Sequence, residues 1–297
     1  MELRTLQYFV QTVDAGTVTA AADRLHITQP GLSRQLRQLE QEFGVELFHR
    51  AGGRLTPTRA GQALLPLARE VLERADALRI AATYQAQGRL DRITIGAPLT
   101  TLRDVVAPFI ATLDADDPTP EVFQADGQTA AEILGRGADL AVTSTPARAP
   151  YETKPLAALP VWACVPEGHR WARRARLRLE ELADERLILP PPTFSSRISL
   201  EAALRREGLS YADAVEAADG TVAQALAAAG RGVAVVSDDP QFDLLPRPIR
   251  TSDGDLSVRL ISAWDSRHPA REALTSIADR LSQFVSARYG SASEVSP

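Results

Sequence analysis

Apolar positions repeat with a helical period through the first ninety or so residues, then give way to short apolar runs alternating with helical stretches. Leu3, Leu6, Phe9, Val10 and Val13 form one stripe and predict a first helix. Thr17 is placed to cap a second helix over Val18 to Leu25, where Ala20, Ala21 and Ala22 let another backbone approach closely. Thr28 is placed to cap a third, with Pro30 in the first turn, where a missing N–H is tolerated. Leu32, Leu36, Leu39 and Phe43 then fall at spacings of four and three and mark its buried face. The opposite face carries Gln29, Ser33, Arg34, Arg37 and Gln38, with no acid before Glu40. Val45 to Thr58 reads as strand, Gly-Gly turn and strand, a small wing carrying Arg50 and Arg54.

Two short helices and a wing predict a winged helix-turn-helix, although the helix pair alone also fits any amphipathic α-helical domain. Gln and Arg bond adenine and guanine edges in the major groove, while Ser and the amides at a helix N-terminus hold phosphate. The residues expected to read or position DNA are therefore Thr28, Gln29, Pro30, Ser33, Arg34, Gln35 and Arg37 on the third helix, with Arg50 and Arg54 on the wing.

A family resemblance enters on a long run of motifs. They are Leu6-Gln7-Tyr8-Phe9, Ala20-Ala21-Ala22-Asp23-Arg24-Leu25, Thr28-Gln29-Pro30, Leu32-Ser33-Arg34-Gln35-Leu36, Leu39-Glu40, Phe43-Gly44-Val45-Glu46-Leu47-Phe48, Leu55-Thr56-Pro57-Thr58 and Ala60-Gly61. Together they resemble the reading head and linker helix of the LysR-type bacterial transcriptional regulators. One departure is Gly31, where that family usually carries alanine or a small polar residue. Glycine inside a helix costs about 1 kcal/mol against alanine.

Ala60, Ala63, Leu64, Leu67, Val71, Leu72, Ala75, Leu78 and Ala82 extend the helical period over about eight turns, with Pro66 inside it and Gly88 as its expected end. This stripe fits either pairing with a second copy or packing within one chain. The resemblance implies the former, a dimer through the linker that spaces two reading heads on DNA.

From Arg92 the runs Arg92 to Gly96, Glu121 to Gln124, Asp139 to Thr143, Leu156 to Leu159, Val161 to Val165, Arg186 to Leu189, Ala214 to Glu216 and Gly232 to Val236 predict strands. Leu102 to Leu113, Thr129 to Arg136, Ser199 to Glu207, Thr221 to Ala229 and Pro269 to Tyr289 predict helices, and the alternation implies parallel sheets covered by helices. The chain is expected to cross between two lobes near Pro160 and to return near Ile261-Ser262-Ala263. The fold class is thus α/β: a winged helix-turn-helix with a long linker helix, then a two-lobed effector domain like that of periplasmic binding proteins, which LysR-type regulators share. The expected boundaries are 1–58 for the DNA-binding domain, 59–90 for linker and hinge, 91–160 plus 264–290 for lobe 1, 161–263 for lobe 2, and 291–297 for a disordered tail.

A ligand is expected where strands end and helices begin, facing the cleft. Thr100 and Thr101 follow one strand, and Phe194, Ser195 and Ser196 follow another, with Phe194 as an apolar wall. Two opposed helix N-termini with hydroxyls favour an anionic effector such as a carboxylate, although Ser and Thr also cap helices routinely. Thr129 and Arg148 are added by the resemblance, because they match family positions that contact effectors.

Composition narrows the picture. The chain has 297 residues and a formal net charge of −5. Over residues 1–58 the arginines and acids balance, which argues for oriented, site-specific binding by several copies rather than strong nonspecific binding. Lys154 is the only lysine. Cys164 is the only cysteine and sits in an apolar run, so it reads as a buried strand residue. His26, His49, His169 and His268 show no metal-ligand spacing, and no phosphate loop, dinucleotide fingerprint or G-x-S-x-G is present. The residues predict no enzyme, no cofactor and no metal, and a cytoplasmic protein without membrane segment or signal peptide, nucleoid-associated when bound. The partners expected are operator DNA with dyad symmetry, a small-molecule effector, further copies as homodimer and homotetramer, and RNA polymerase. Two other readings stay open: a small-molecule binding protein or enzyme with an incidental helical head, and a regulator that needs no effector.

Overall fold

The computed structural model describes residues 2–51, 54–87 and 89–289. These fall into two compact units, Met1–Ala86 and Gln87–Pro297.

The first unit begins with α1 (Leu3–Ala15), α2 (Val18–Arg24) and α3 (Gln29–Phe43). The predicted caps form: Thr17 Oγ1 accepts the Ala20 N–H at 3.2 Å, and Thr28 Oγ1 accepts the Gly31 N–H at 3.3 Å. Leu6, Phe9 and Val10 of α1 pack with Ala21 and Ala22 of α2 and with Leu32, Leu36 and Leu39 of α3. Strands β1 (Phe48–Ala51) and β2 (Arg54–Pro57) pair antiparallel as the wing, and Phe48 meets Phe9 edge-on with centroids 5.6 Å apart. Helix α4 (Arg59–Gln87) then runs through Pro66. The expected stop at Gly88, the Gly-Gly turn of the wing and the expected disorder of residues 291–297 lie outside the described residues.

The second unit has two mixed sheets. Lobe 1 holds β3 (Arg92–Ala97), β4 (Thr119–Gln124), β5 (Leu140–Thr143), β6 (Tyr151–Pro160) and β14 (Ser257–Asp265) in the order β4-β3-β5-β14-β6. Lobe 2 holds β7 (Trp162–Val165), β9 (Arg186–Leu189), β10 (Asp213–Glu216), β11 (Val233–Val236) and β12 (Leu245–Thr251), in the order β10-β9-β11-β7-β12. The two-residue strands β8 (Leu177–Arg178) and β13 (Gly254–Asp255) pair with β12. The helices are α5 (Leu99–Thr101), continued by a π-type stretch (Leu102–Val106) into α6 (Ala107–Ile110), then α7 (Ala130–Gly135), α8 (Ser195–Glu207), α9 (Gly220–Ala228) and α10 (Arg271–Tyr289).

Three expectations change here. The sheets are not all parallel: β4-β3-β5 and β10-β9-β11 are, but β14, β6, β7 and β12 join them antiparallel. A chain that crosses between lobes and returns beside itself must run in both directions. The return crossing lies at Leu256 and Ser257 rather than near Ile261, because Ser257 pairs with Pro160 and Val161 N–H bonds Leu256 O at 2.9 Å. Residues 257–263 therefore belong to the lobe 1 sheet, and β8, β12, β13 and β14 are strands the periodicity did not indicate. Helix starts also move: α5 begins at Leu99 and α8 at Ser195, several residues before the predicted Leu102 and Ser199.

Candidate nucleic-acid interface and effector cleft

Helix α3 buries Leu32, Leu36 and Leu39 and turns its opposite face outward. Thr28, Gln29, Pro30, Arg34 and Arg37 are exposed, while Ser33 and Gln35 are half-buried. Gln29 Nε2 donates to Ser33 Oγ at 3.2 Å, which restrains a long side chain before any DNA arrives. Arg34 and Arg37 form no ion pair among the described residues, so both guanidinium groups keep their full donor set. On the wing, Arg50 pairs in register with Leu55 and Arg54 with Ala51; their side chains lie outside what is described.

Gly31 now has a physical account. A Cβ there would lie 3.0 Å from Thr28 Oγ1, the hydroxyl that caps α3. Glycine thus spares the cap at the cost of helix propensity. Gly31→Ala is expected to shift unfolding stability by less than about 1 kcal/mol, because the ~1 kcal/mol gained in propensity is offset by a disturbed cap worth ~0.5–2 kcal/mol. Chemical denaturation of the two proteins checks this, and a gain of the whole propensity term would show that the cap was not crowded.

Sequence reasoning missed Glu40. Its Oε1 accepts the N–H groups of Leu47 and Phe48 at 2.9 and 3.2 Å, tying the last turns of α3 to the first residue of the wing. The only signal was its place as the first acid on that helix. The same end of α3 borders a concave surface lined by Arg37, Gln41, Val45, Glu46 and His49.

In the second unit, the C-terminal ends of β3, β4 and β5 in lobe 1 and of β9, β10 and β11 in lobe 2 supply the cleft loops. Contacts already cross it. Ser144 Oγ lies 2.7 Å from Ser195 Oγ, and a Cβ on Gly127 would meet Thr193 Cβ at 3.0 Å. Thr100 Oγ1 lies 3.5 Å from both carboxylate oxygens of Asp238, so it faces an acid of the other lobe. Thr101 and Ser196 are buried, and Phe194 is half-buried. The first amide of α5 is already taken: Leu99 N–H donates to Asp126 Oδ1 at 2.9 Å. Helix α8, by contrast, has Phe194 at its N-cap position and no side-chain cap. Thr129 works in a capping box, accepting the Glu132 N–H at 3.2 Å while its own N–H donates to Glu132 Oε2 at 2.7 Å. That bonding holds the Glu132 carboxyl below its usual range. Arg148 is exposed on the loop after β5, with no ion pair among the described residues.

Cys164 lies fully buried in β7. Burial, with the Asp238 charge added, pushes its thiol up to about 12, so it stays protonated and unreactive near neutral pH.

Comparison with known proteins agrees with this geometry. The family described as "Bacterial regulatory helix-turn-helix protein, lysR family" matches residues 3–62, and "LysR substrate binding domain" matches residues 86–284. The nitrogen assimilation regulatory protein nac of Klebsiella aerogenes is 29% identical over 93% of this chain and 94% of its own length. The HTH-type transcriptional regulator TfdS of Cupriavidus pinatubonensis is 31% identical over 94% of this chain and 98% of its own. The solved structure of full-length CbnR complexed with its target DNA has the same fold, with a TM-score of 0.64 at 23% identity over 95% of this chain and 100% of that one.

Proposed function

Since the chain belongs to the lysR family of bacterial regulators, DNA-binding transcriptional regulators that carry an effector domain, we propose that it reads a dyad-symmetric operator through α3 and changes the spacing of paired reading heads when a small molecule occupies the cleft. The observation that carries the reading is the outward face of α3, where Arg34 and Arg37 stand exposed and, among the described residues, without an ion pair behind a capped first turn. Gln29, Ser33 and Arg34 contact base edges; Thr28, Pro30 and Gln35 set the helix entry; Arg37, Arg50 and Arg54 hold phosphates. Two copies pair through α4, where Leu67 and Leu78 are 56% and 71% exposed, and two dimers make a tetramer that meets RNA polymerase at the promoter. No described helix is long and apolar enough to cross a membrane, and the cytoplasm is the compartment this role requires.

The effector is a small carboxylate held at the uncapped start of α8, with Ser195, Ser196 and Arg148 around the anion and Phe194 against its apolar part. The α5 end supplies Thr100 and Thr101 as neighbours rather than as the anion's donors, because Asp126 and Asp238 already stand there. Ligand shifts the lobes only as far as its affinity differs between their two arrangements.

Selection of bound duplexes from a random pool tests the DNA half: an enriched inverted repeat is expected, and retention without any enriched sequence would overturn it. Thermal-shift screening of aliphatic, aromatic and amino-acid carboxylates against the full chain tests the other half. Stabilisation of the second unit by none of them would leave a regulator without an effector.

A further inference from the structure

The polar contacts between the two lobes are unequal. Near β5 and α8 the Ser144–Ser195 hydroxyl pair crosses. On the side of α5, α9 and the end of α10, a charged network crosses, and Arg103 is at its centre. Arg103 Nη2 donates to Asp238 Oδ1 at 2.6 Å, and Nη1 donates to Thr221 Oγ1 at 2.7 Å. Nε and Nη2 also hold the two oxygens of Asp104 at 2.7 and 2.9 Å. Asp104 Oδ2 accepts the Asp239 N–H at 3.2 Å, and the Asp239 carboxylate meets the Arg288 guanidinium and, at 3.1 Å, the Tyr289 hydroxyl. Arg103 and Asp104 follow β3, and α10 packs on β6 through Ser282 and Ser286, so these donors belong to lobe 1; Thr221, Asp238 and Asp239 belong to lobe 2.

Local structure makes this arrangement possible. Consecutive residues on an α-helix do not face each other. Arg103 and Asp104 lie in the π-type stretch, whose wider turn narrows the angle between neighbouring side chains. Across the boundary, the Asp238 side chain is only 1% exposed and packs on the first residue of α9: a Cβ on Gly220 would lie 2.2 Å from its carboxylate. Burial pushes the Asp238 carboxyl up, and the Arg103 guanidinium opposes that push.

The two sides therefore resist opening differently. Separating two hydroxyls exchanges one bond for bonds to water at little net cost. Separating Arg103 from Asp238 strands a carboxylate in a buried site, which is far more expensive. We propose that Arg103 is a positioning residue that clamps the lobes at the α5–α9 side, so that they pivot there and open at the Ser144–Ser195 side. The pivot is shared with the paired crossings at Pro160–Val161 and Leu256–Ser257. Its consequence for signalling rests on the effector reading above, because a ligand then acts by holding or parting the Ser144–Ser195 edge.

Amide hydrogen exchange on the full chain, without ligand, tests the clamp directly. In the wild type, amides at 194–197 are expected to exchange at least tenfold faster than those at 101–106 and 220–223. Arg103→Gln and Asp238→Asn should each raise exchange at 101–106, 220–223 and 238–241 at least tenfold, leaving β3 and β11 unchanged. The double variant should go no further than Arg103→Gln alone, since that change already removes the Asp238 contact together with those to Thr221 and Asp104. Unchanged exchange at those segments, an equal rise in β3 and β11, or additive effects would each overturn the clamp. Asp238→Asn keeps the side chain's volume and decides the matter if Arg103→Gln does not fold. A carboxylate screen that finds nothing would sink the effector reading and leave this result standing.

Discussion

Gly61→Ala is expected to destabilise the DNA-binding unit by about 2–3 kcal/mol, although alanine is the better helix former by ~1 kcal/mol. A Cβ at this position, in the first turns of α4, would lie 2.2 Å from the backbone oxygen of Leu47 and 3.2 Å from its carbonyl carbon. No flexible side chain can yield there, because both atoms are backbone. That carbonyl is also committed: it accepts the Thr58 N–H at 2.9 Å, while Thr58 Oγ1 donates to Glu46 O at 2.6 Å and accepts the Gly61 N–H at 3.0 Å. Moving Leu47 away would also pull it from the Glu40 carboxylate and from the core it fills with Phe9 and Leu36. The Thr58-to-Gly61 motif is thus a close crossing of two backbone segments that holds the wing against the linker. Tryptophan fluorescence would miss the effect, since Trp162, Trp171 and Trp264 all lie in the second unit. Exchange of the amides at 32–39 on α3 reports it, and slower exchange in the variant would mean that the crossing relaxes and the steric account is wrong.

What the sequence revealed followed from local rules. The stripe of α3 and its Thr28 cap were legible because helix period and capping are properties of neighbouring residues. Thr129 was read only as a match to effector-contacting positions, although Thr followed three residues later by Glu is the pattern of the capping box it forms. Strand β12 was hidden by Pro246 and Pro248, since proline argues against a paired strand. Prolines two apart leave both missing N–H groups on one edge, and β12 still pairs with β7. Strand direction was not legible, because an apolar run carries no record of which way its neighbour points. The network around Arg103 was hidden for the same reason: its partner Asp238 is 135 residues away, and a charge in a sequence does not name its counter-ion. Gly31 belongs between these cases, as the crowding with Thr28 is local but depends on where the hydroxyl sits.

Arg34→Ala is expected to weaken operator binding by about 1–3 kcal/mol per half-site, or roughly 5- to 150-fold, with relaxed preference at one base pair. Arg34 lies in the second turn of α3, on the face opposite Leu32, Leu36 and Leu39, and among the described residues its guanidinium meets no acid that would have to be released first. A free planar fork is suited to the O6 and N7 acceptors of guanine. The alternative role is a phosphate contact, and salt dependence separates the two. Loss of a base contact leaves the slope of log affinity against log salt unchanged, whereas loss of a phosphate contact reduces it by about one per site and weakens all sequences alike. Arg34→Lys sharpens the distinction, because a lysine keeps the charge for phosphate but not the fork for guanine. Titration of the selected operator at several salt concentrations gives affinity and slope together. Unchanged affinity and preference in Arg34→Ala would remove this residue from the interface altogether. The test is sensitive because the first 58 residues carry as many acids as arginines. With little nonspecific attraction to mask it, a lost base contact should appear nearly undiluted in the measured affinity.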